Sequence, residues 1–378
     1  MGRSVLFFLL LTLGTTIFAQ RAFEGTVLDA RTGKPIPYVN IGIVGGSTGT
    51  VTNSEGFFRL EFPPGKVTTV DMLRVSSLGY GPLEIRISSL ETKPQPLIFH
   101  LEPEPIALNE VVLSTSRLYQ VEEEIGYPNL AGRGVGYWKD SVALGGELGT
   151  LIRVDKGQRK LNALFLEVLY NPSDSVRLRI NFYKSLSGIG YPAQNLNQSG
   201  KNVLYTLRGS ENLSVIDLEP YDIWVEDDFI VSLELLAVYG TKTVGLGLPA
   251  GPMERASSFR RYASQSSWER IGESVMGYYL QSTLYTDNPR RLPKPRVVRK
   301  RQNNEREISG FVFYAGRPLK GATLRNYTRN KTVMSDGVGR YRTTVSKGDI
   351  IGISYPGLRT LIVEINDPKN FNFQMQPK

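Results

Sequence analysis

Phe23-Glu24-Gly25-Thr26-Val27, followed by Thr32-Gly33-Lys34-Pro35-Ile36-Pro37, returns near the other end of the chain as Ile308-Ser309-Gly310-Phe311-Val312, followed by Gly316-Arg317-Pro318-Leu319. Gly25 and Gly310 lie 285 residues apart, and Pro35 and Pro318 lie 283 apart. Further on, Gly56 pairs with Gly339, Gly79 with Gly357 and Pro103 with Pro377, where the offset has fallen to 274. Shared punctuation in one order, with a shrinking offset, marks a duplicated unit whose second copy has shorter loops.

Each shared point has a physical task. Gly33-Lys34-Pro35 is turn chemistry between a first strand and a second. Val39, Ile41 and Ile43 alternate with Asn40 and Gly42, so one face of that strand is apolar. Asn53-Ser54-Glu55-Gly56 is a turn in which Asn and Ser bond back to the backbone and Gly56 is free to take a positive φ. Phe57 to Leu60 resume a strand, and Leu97, Phe99 and Leu101 alternate through the last one, matched by Phe371, Phe373 and Met375. Several short strands within about 80 residues, with no helix signal, predict a small antiparallel sandwich at each end.

The run Gly25-x-Val27…Thr32-Gly33-x-Pro35-Ile36…Val39-x-Ile41…Thr52-x-x-Glu55-Gly56-x-Phe58 resembles the carboxypeptidase regulatory-like domain over residues 21–103. That resemblance implies a seven-stranded, transthyretin-like, non-catalytic accessory module of Gram-negative envelope proteins. Residues 307–378 resemble it more loosely, with Ala315-Gly316 in place of Thr-Gly and Val338-Gly339 in place of Glu-Gly. Leu108-Asn109-Glu110-Val111-Val112 resembles the segment that joins this module to the plug of TonB-linked outer-membrane receptors. About 200 residues then separate it from the second copy, too few for a receptor barrel with its plug.

The N-terminus reads as an export signal: Arg3, an apolar core from Val5 to Leu13, and Ile17-Phe18-Ala19 before Gln20, with cleavage expected after Ala19. No later apolar run approaches the ~18 residues of a spanning helix. The 378 residues include no cysteine, so neither disulfides nor a lipidated cysteine are available, and each domain must be held by burial. The formal charge of +9 is concentrated. Between Asn288 and Arg306 lie Arg290, Arg291, Lys294, Arg296, Arg299, Lys300, Arg301 and Arg306 against only Glu305, interleaved with Pro289, Pro293 and Pro295. This reads as an extended basic linker attracted at most to anionic polymers or headgroups. It lacks the aromatic residues that stacking on nucleic acid would need.

The expected plan is therefore all-β: a signal at 1–19, the first sandwich at 21–103, a linker at 104–126, a middle domain at 127–287, the basic linker at 288–306 and the second sandwich at 307–378. In the middle, Leu164-x-Leu166-x-Val168, Val176-x-Leu178-x-Ile180-x-Phe182, Leu204 to Leu207, Tyr221 to Glu226, Phe229 to Leu235 and Tyr278 to Leu284 read as strands of a larger, jelly-roll-like sandwich. Asn195 to Asn202, Thr243 to Pro252 and Met253 to Ile271 read as long loops, the last alternatively as a short helix.

Chemistry has few places to sit. His100 is the one histidine, on the outward side of a strand; without cysteine, neither nucleophile–histidine catalysis nor a histidine-rich zinc site is available. Gly45-Gly46-Ser47-Thr48-Gly49 fits G-x-S-x-G but lies between β-strands, without the strand-to-helix elbow that gives the motif meaning. The glycines at 132, 134 and 136 and at 245, 247 and 251 have no βαβ setting for a nucleotide. Paired carboxylates are the remaining enzyme route, through Glu122-Glu123-Glu124, Asp222, Glu226 or Asp227-Asp228. The triple glutamate is more simply a solvated run and the Asp pair a hydrogen-bonded turn.

Alternation also puts Asp222, Trp224 and Glu226 on one face of their strand, a tryptophan among carboxylates that would suit stacking on a sugar or peptide. A covering loop or neighbouring domain over Trp224 is the plainer alternative. The resulting expectation is a non-catalytic envelope scaffold without cofactor or metal, exported to the periplasm or outer membrane, whose partner is an envelope protein or polysaccharide and not nucleic acid. A carbohydrate-binding or hydrolysing middle domain is one alternative, and an accessory subunit of a TonB-linked receptor is another.

Overall fold

The computed structural model describes residues 21–104, 119–128, 134–138, 144–186, 190–209, 213–240, 245–252, 257–272, 274–288, 291, 305–367 and 371–377. The expected export signal, Leu108–Val112 and most of the expected basic linker lie outside them. The described chain is almost entirely β and forms three sandwiches.

The N-terminal module contains β1 (Arg21–Asp29), β2 (Asn40–Ile43), β3 (Gly49–Val51), β4 (Phe57–Phe62), β5 (Met72–Ser76), β6 (Leu83–Arg86) and β7 (Leu97–Leu101). One sheet runs β4-β1-β7, with β1 antiparallel to β4 and parallel to β7; the other runs β3-β2-β5-β6. Between them lie Val27, Ile41, Phe58, Leu60, Leu73, Val75 and Phe99, and each such burial contributes about 1.5–3 kcal/mol. A five-residue helix, α1 (Ile87–Glu91), plugs Ile87 and Leu90 into this core, a helix that strand periodicity does not predict.

The middle domain has a seven-stranded sheet of β10 (Glu147–Ile152), β12 (Ser175–Ser185), β13 (Pro192–Asn195), β14 (Val203–Arg208), β17 (Phe229–Tyr239), β19 (Ser258–Arg261) and β20 (Glu269–Arg270). Facing it is a sheet of β8 (Tyr119–Gly126), β11 (Arg159–Glu167), β15 (Leu213–Asp217), β16 (Trp224–Val225) and β22 (Tyr278–Thr286). A small sheet of β9 (Gly134–Trp138), β18 (Leu246–Pro252) and β21 (Ser274–Met276) joins them. Leu148, Leu164, Leu178, Ile180, Phe182, Phe229, Leu233 and Leu280 fill the interior.

Four expectations are corrected here. Tyr119–Gly126, assigned to the 104–126 linker, is an edge strand paired with β22 along its whole length, its glutamates masking the alternation of Val121 and Ile125. Tyr221–Glu226 is a strand only at Trp224–Val225: Pro220 starts a single 3-10 turn over Glu219–Tyr221, and Asp222 closes it at φ +47°. Thr243–Pro252 contains β18, and Met253–Ile271 contains β19 and β20 and no helix among its described residues; glycine, proline and serine hid these short pairings.

The C-terminal module comprises β23 (Arg306–Tyr314), β24 (Arg317–Pro318), β25 (Thr323–Asn326), β26 (Lys331–Met334), β27 (Arg340–Val345), β28 (Ile350–Ser354), β29 (Leu358–Arg359), β30 (Leu361–Glu364) and β31 (Phe373–Pro377). Its sheets, β24-β23-β31-β29 with β27 on β23 and β26-β25-β28-β30, repeat the first module. The repeat extends to single hydrogen bonds. The buried Thr52 hydroxyl accepts from Val39 N–H and donates to Ile36 C=O, while the Ser335 hydroxyl does the same for Ala322 and Leu319. Val27 N–H donates to Gly56 C=O as Val312 N–H donates to Gly339 C=O. At Gly25 an added Cβ would stand 2.1 Å from Leu97 O, and at Gly310 it would meet Phe371 O as closely, so only glycine lets the last strand approach the first.

Both modules press the same sheet onto the middle domain, from opposite sides. Gly42 of β2 abuts the 263–267 turn, Gly45 N–H donates to Gln265 C=O (3.0 Å), and the Gln265 amide reaches Ser76 Oγ (2.9 Å). On the other side, Tyr327 and Ile350 pack on Ala163, Phe165 and Val215, Gln281 donates to Tyr327 C=O, and Arg325 pairs with Glu219.

A candidate ligand shelf on the middle domain

Register places distant residues side by side on the outer face of the β8-containing sheet. Trp224 is opposite Lys160, Lys160 opposite Thr283, and Thr283 opposite Glu122, a row across four strands. Tyr285, two residues beyond Thr283, shares its face and meets Trp224 with ring centroids 5.1 Å apart and planes tilted by 43°. Lys160 Nζ lies 2.6 Å from Asp222 Oδ1 and 6.0 Å from the Trp224 ring centre.

A bulge at Asn162, between Leu161 and Ala163, adds one more group to this face. Asn162 Nδ2 donates to Thr283 Oγ1 (2.8 Å), which donates to Glu122 Oε1 (3.0 Å). Glu123, on the inward side, pairs with the buried Arg159 guanidinium at 2.8 Å. Glu122 and Glu123 are therefore bonded into the sheet and not simply part of a solvated run, while Glu124 is exposed.

The three residues singled out in the sequence sit together here. Ile223 and Val225 point into the core, while Asp222 and Glu226 are exposed and Trp224 is half-buried on Tyr285. Glu226 accepts from Gln158 Nε2 at 3.2 Å. The hydrogen bond from Lys160 holds the Asp222 carboxyl below the usual carboxylate range, so it is ionised and unsuited to donate a proton near neutrality. Two tilted aromatic rings stand beside Lys160, Asp222, Gln158 and Glu226, which brings ring faces and hydrogen-bonding groups together on one surface. Asp227 and Asp228 form the expected turn, Asp228 accepting from Val154 N–H and pairing with Arg153, each at 2.9 Å.

Sequence reading passed over a second polar cluster, on the outer face of the seven-stranded sheet beneath the N-terminal module. Glu147 and Glu234 are both 0% exposed. Glu147 accepts from Arg261, Ser232 and Tyr183, and Glu234 accepts from Asn181 (2.8 Å) and pairs with Arg179 (3.5 Å). Arg179 in turn donates to Tyr38 C=O of the N-terminal module. Burial pushes the Glu234 carboxyl up, against the pull of Arg179. The signal was present: a lone carboxylate inside Phe229-Ile-Val-Ser-Leu-Glu-Leu-Leu has to be partnered. Trp268 belongs to this buried region, edge-on to Tyr183 (5.8 Å) and under Arg261 (5.0 Å).

Among the described residues, no group of three or more His, Cys, Asp and Glu side chains is placed to hold a metal ion. His100 is exposed on β7, and Gly45–Gly49 form the turn between β2 and β3. The strand carrying Trp138 pairs with β18, but its side chains lie outside the described set.

Residues 23–113 match the family model of the CarboxypepD_reg-like domain, which supports the resemblance read from the N-terminal repeat. A search of curated proteins gave no match. Among solved structures, the chain is similar to BcpA, the major pilin subunit of Bacillus cereus, at 10% identity over 95% of this chain and 100% of that one, with a TM-score of 0.16. It is also similar to the T6 backbone pilin of serotype M6 Streptococcus pyogenes, at 12% identity over 91% and 80%, with a TM-score of 0.14.

Proposed function

We propose that the chain is a non-catalytic binding scaffold of the bacterial envelope, in which two regulatory-like modules brace a middle sandwich whose Trp224 shelf takes an envelope polysaccharide or extended peptide. One observation carries this reading. Both modules use the equivalent sheet to cover opposite faces of the middle domain, and the row from Trp224 to Glu122 lies beside the covered area with Trp224, Lys160 and Tyr285 half-buried, Glu122 exposed and Thr283 buried between them. The end modules are then braces and the middle domain is the part that binds. Export to the periplasm or outer membrane rests on Arg3, the apolar run to Leu13 and Ala19.

Catalysis is disfavoured by the chemistry at the shelf: the Asp222 carboxylate is held ionised in a pair with Lys160, and no histidine or cysteine stands near it. Titration of the full chain with soluble hexose and N-acetylhexosamine oligosaccharides, and with short extended peptides, tests the reading through tryptophan fluorescence. Saturable quenching that Trp224→Ala removes while the melting temperature stays within a few degrees supports it. Binding unchanged by Trp224→Ala, or release of reducing ends from the oligosaccharides, would overturn it.

A further inference from the structure

The outward sheets of the two end modules face away from the middle domain, and equivalent positions on them carry complementary groups. Val27 and Val312 are equivalent through their bonds to Gly56 and Gly339, which makes Thr26 the counterpart of Phe311. In the N-terminal module, Thr26 is opposite Phe57 on one side and Ile98 on the other, so a small side chain lies between two apolar ones that are 40% and 58% exposed. In the C-terminal module, Phe311 stands at that central position, 36% exposed, opposite Arg340 and 6.0 Å from Phe313. One face has a slot where the other has a knob.

Charge follows the same division. Around the slot, Glu24, Glu61 and Glu102 outnumber Arg59, which lies 2.6 Å from Glu24 and 2.9 Å from Glu61. Around the knob, Arg340, Arg342 and Arg359 outnumber Glu307, which Arg342 holds at 3.1 Å. Three carboxylates to one guanidinium on one face meet three guanidiniums to one carboxylate on the other. Sheets packed face to face interdigitate their outward side chains about 10 Å apart, so a knob opposite a slot is the arrangement such a contact needs.

We infer that the chain associates head to tail with a second copy of itself, the outward sheet of one C-terminal module seating Phe311 between Phe57 and Ile98 of the next chain's N-terminal module. The two surfaces differ, so the contact is heterologous and leaves a free face at each end; unless the rotation closes a ring, association is open-ended. The faces are small, of the transient class, and association is expected at concentrations on the order of 100 μM.

Sedimentation equilibrium of the full chain, from about 5 to 500 μM, tests this. The average mass should rise without a plateau at dimer. Phe311→Asp and Ile98→Asp should each hold the protein monomeric across the range. An equimolar mixture of the two variants should form dimers and nothing larger, because only one competent face of each kind remains. Arg340→Glu, which leaves the apolar groups in place, gives a second route if either aspartate variant fails to fold, and should weaken association at least tenfold. A monomeric wild-type chain, a closed dimer, association untouched by either aspartate, or a mixture that stays monomeric would each overturn the inference.

Discussion

Gly42→Ala isolates the docking of the N-terminal module from its folding. Ile41 and Ile43 point into the module's own core, whereas Gly42 faces the middle domain, and a Cβ there would stand 2.0 Å from Ser264 O and 3.2 Å from Gln265 Cβ. Ordinary contact begins near 3.4 Å, so strand and turn must separate by more than an ångström, and both are backbone. Among the hydrogen bonds that span the joint are Gly45 N–H to Gln265 C=O, Gln265 Nε2 to Ser76 Oγ, and Arg179 to Tyr38 C=O. At about 1 kcal/mol for each neutral bond and 1.5–3 for the charged one, their loss weakens docking by about 3–5 kcal/mol. That is roughly two to four orders of magnitude in the docked population. Calorimetry should then resolve the module as a separate transition, and exchange of the Gly45 amide should accelerate by the same factor. Gly337→Ala is the control, since nothing lies within 4 Å of its Cβ position. A single unshifted transition together with undiminished Gly45 protection would show that the joint does not depend on this close approach.

The repeated hydroxyl clamp predicts that Thr52→Val, which leaves Val39 N–H and Ile36 C=O buried and unpaired, lowers the stability of the N-terminal module by about 2–5 kcal/mol in denaturant titrations, with Thr52→Ser recovering most of it. Ser335→Ala should act alike on the C-terminal module through Ala322 and Leu319. Asp222 should titrate below the ordinary aspartate range by carboxyl NMR, and Lys160→Met should bring it back. The contribution of the pair is present above the unfolded aspartate value and lost as pH falls through the depressed one. Tyr327, whose phenol is pushed up to about 12 by burial against Phe165, should stabilise docking of the C-terminal module below the ordinary tyrosine value. That stabilisation is lost as pH rises through about 12, read as absorbance of the phenolate against the separation of the module.

The duplicated ends were legible because each shared residue answers to a local requirement. Gly25 and Gly310 admit a neighbouring strand that any Cβ would repel, and Asn53 or Asp336 closes a turn on its own backbone. The face of Trp224 was legible for a similar reason, since Ile223 and Val225 had to turn inward. What surrounds Trp224 was not legible. Lys160, Tyr285 and Thr283 reach it only through strand register, which depends on a bulge at Asn162 that no local pattern announces. β8 was missed because an edge strand tolerates charge on the side that strand periodicity expects to be mixed. The joints between domains were missed because Gly42, Tyr38 and Gln265 look like surface residues until the neighbouring domain is in place.

The parallel pairing of β1 with β7, and of β23 with β31, has a bearing on how the chain reaches its folded state. The opening strand of each module has no partner on that flank until its closing strand has emerged, some seventy residues later along the sequence. A nascent chain therefore carries an unzipped edge for the length of a whole module, and such non-local closure is slow. Chains cut short before Leu97 or before Phe373 should bind holdase chaperones and clump, whereas release occurs once the final five residues click into place.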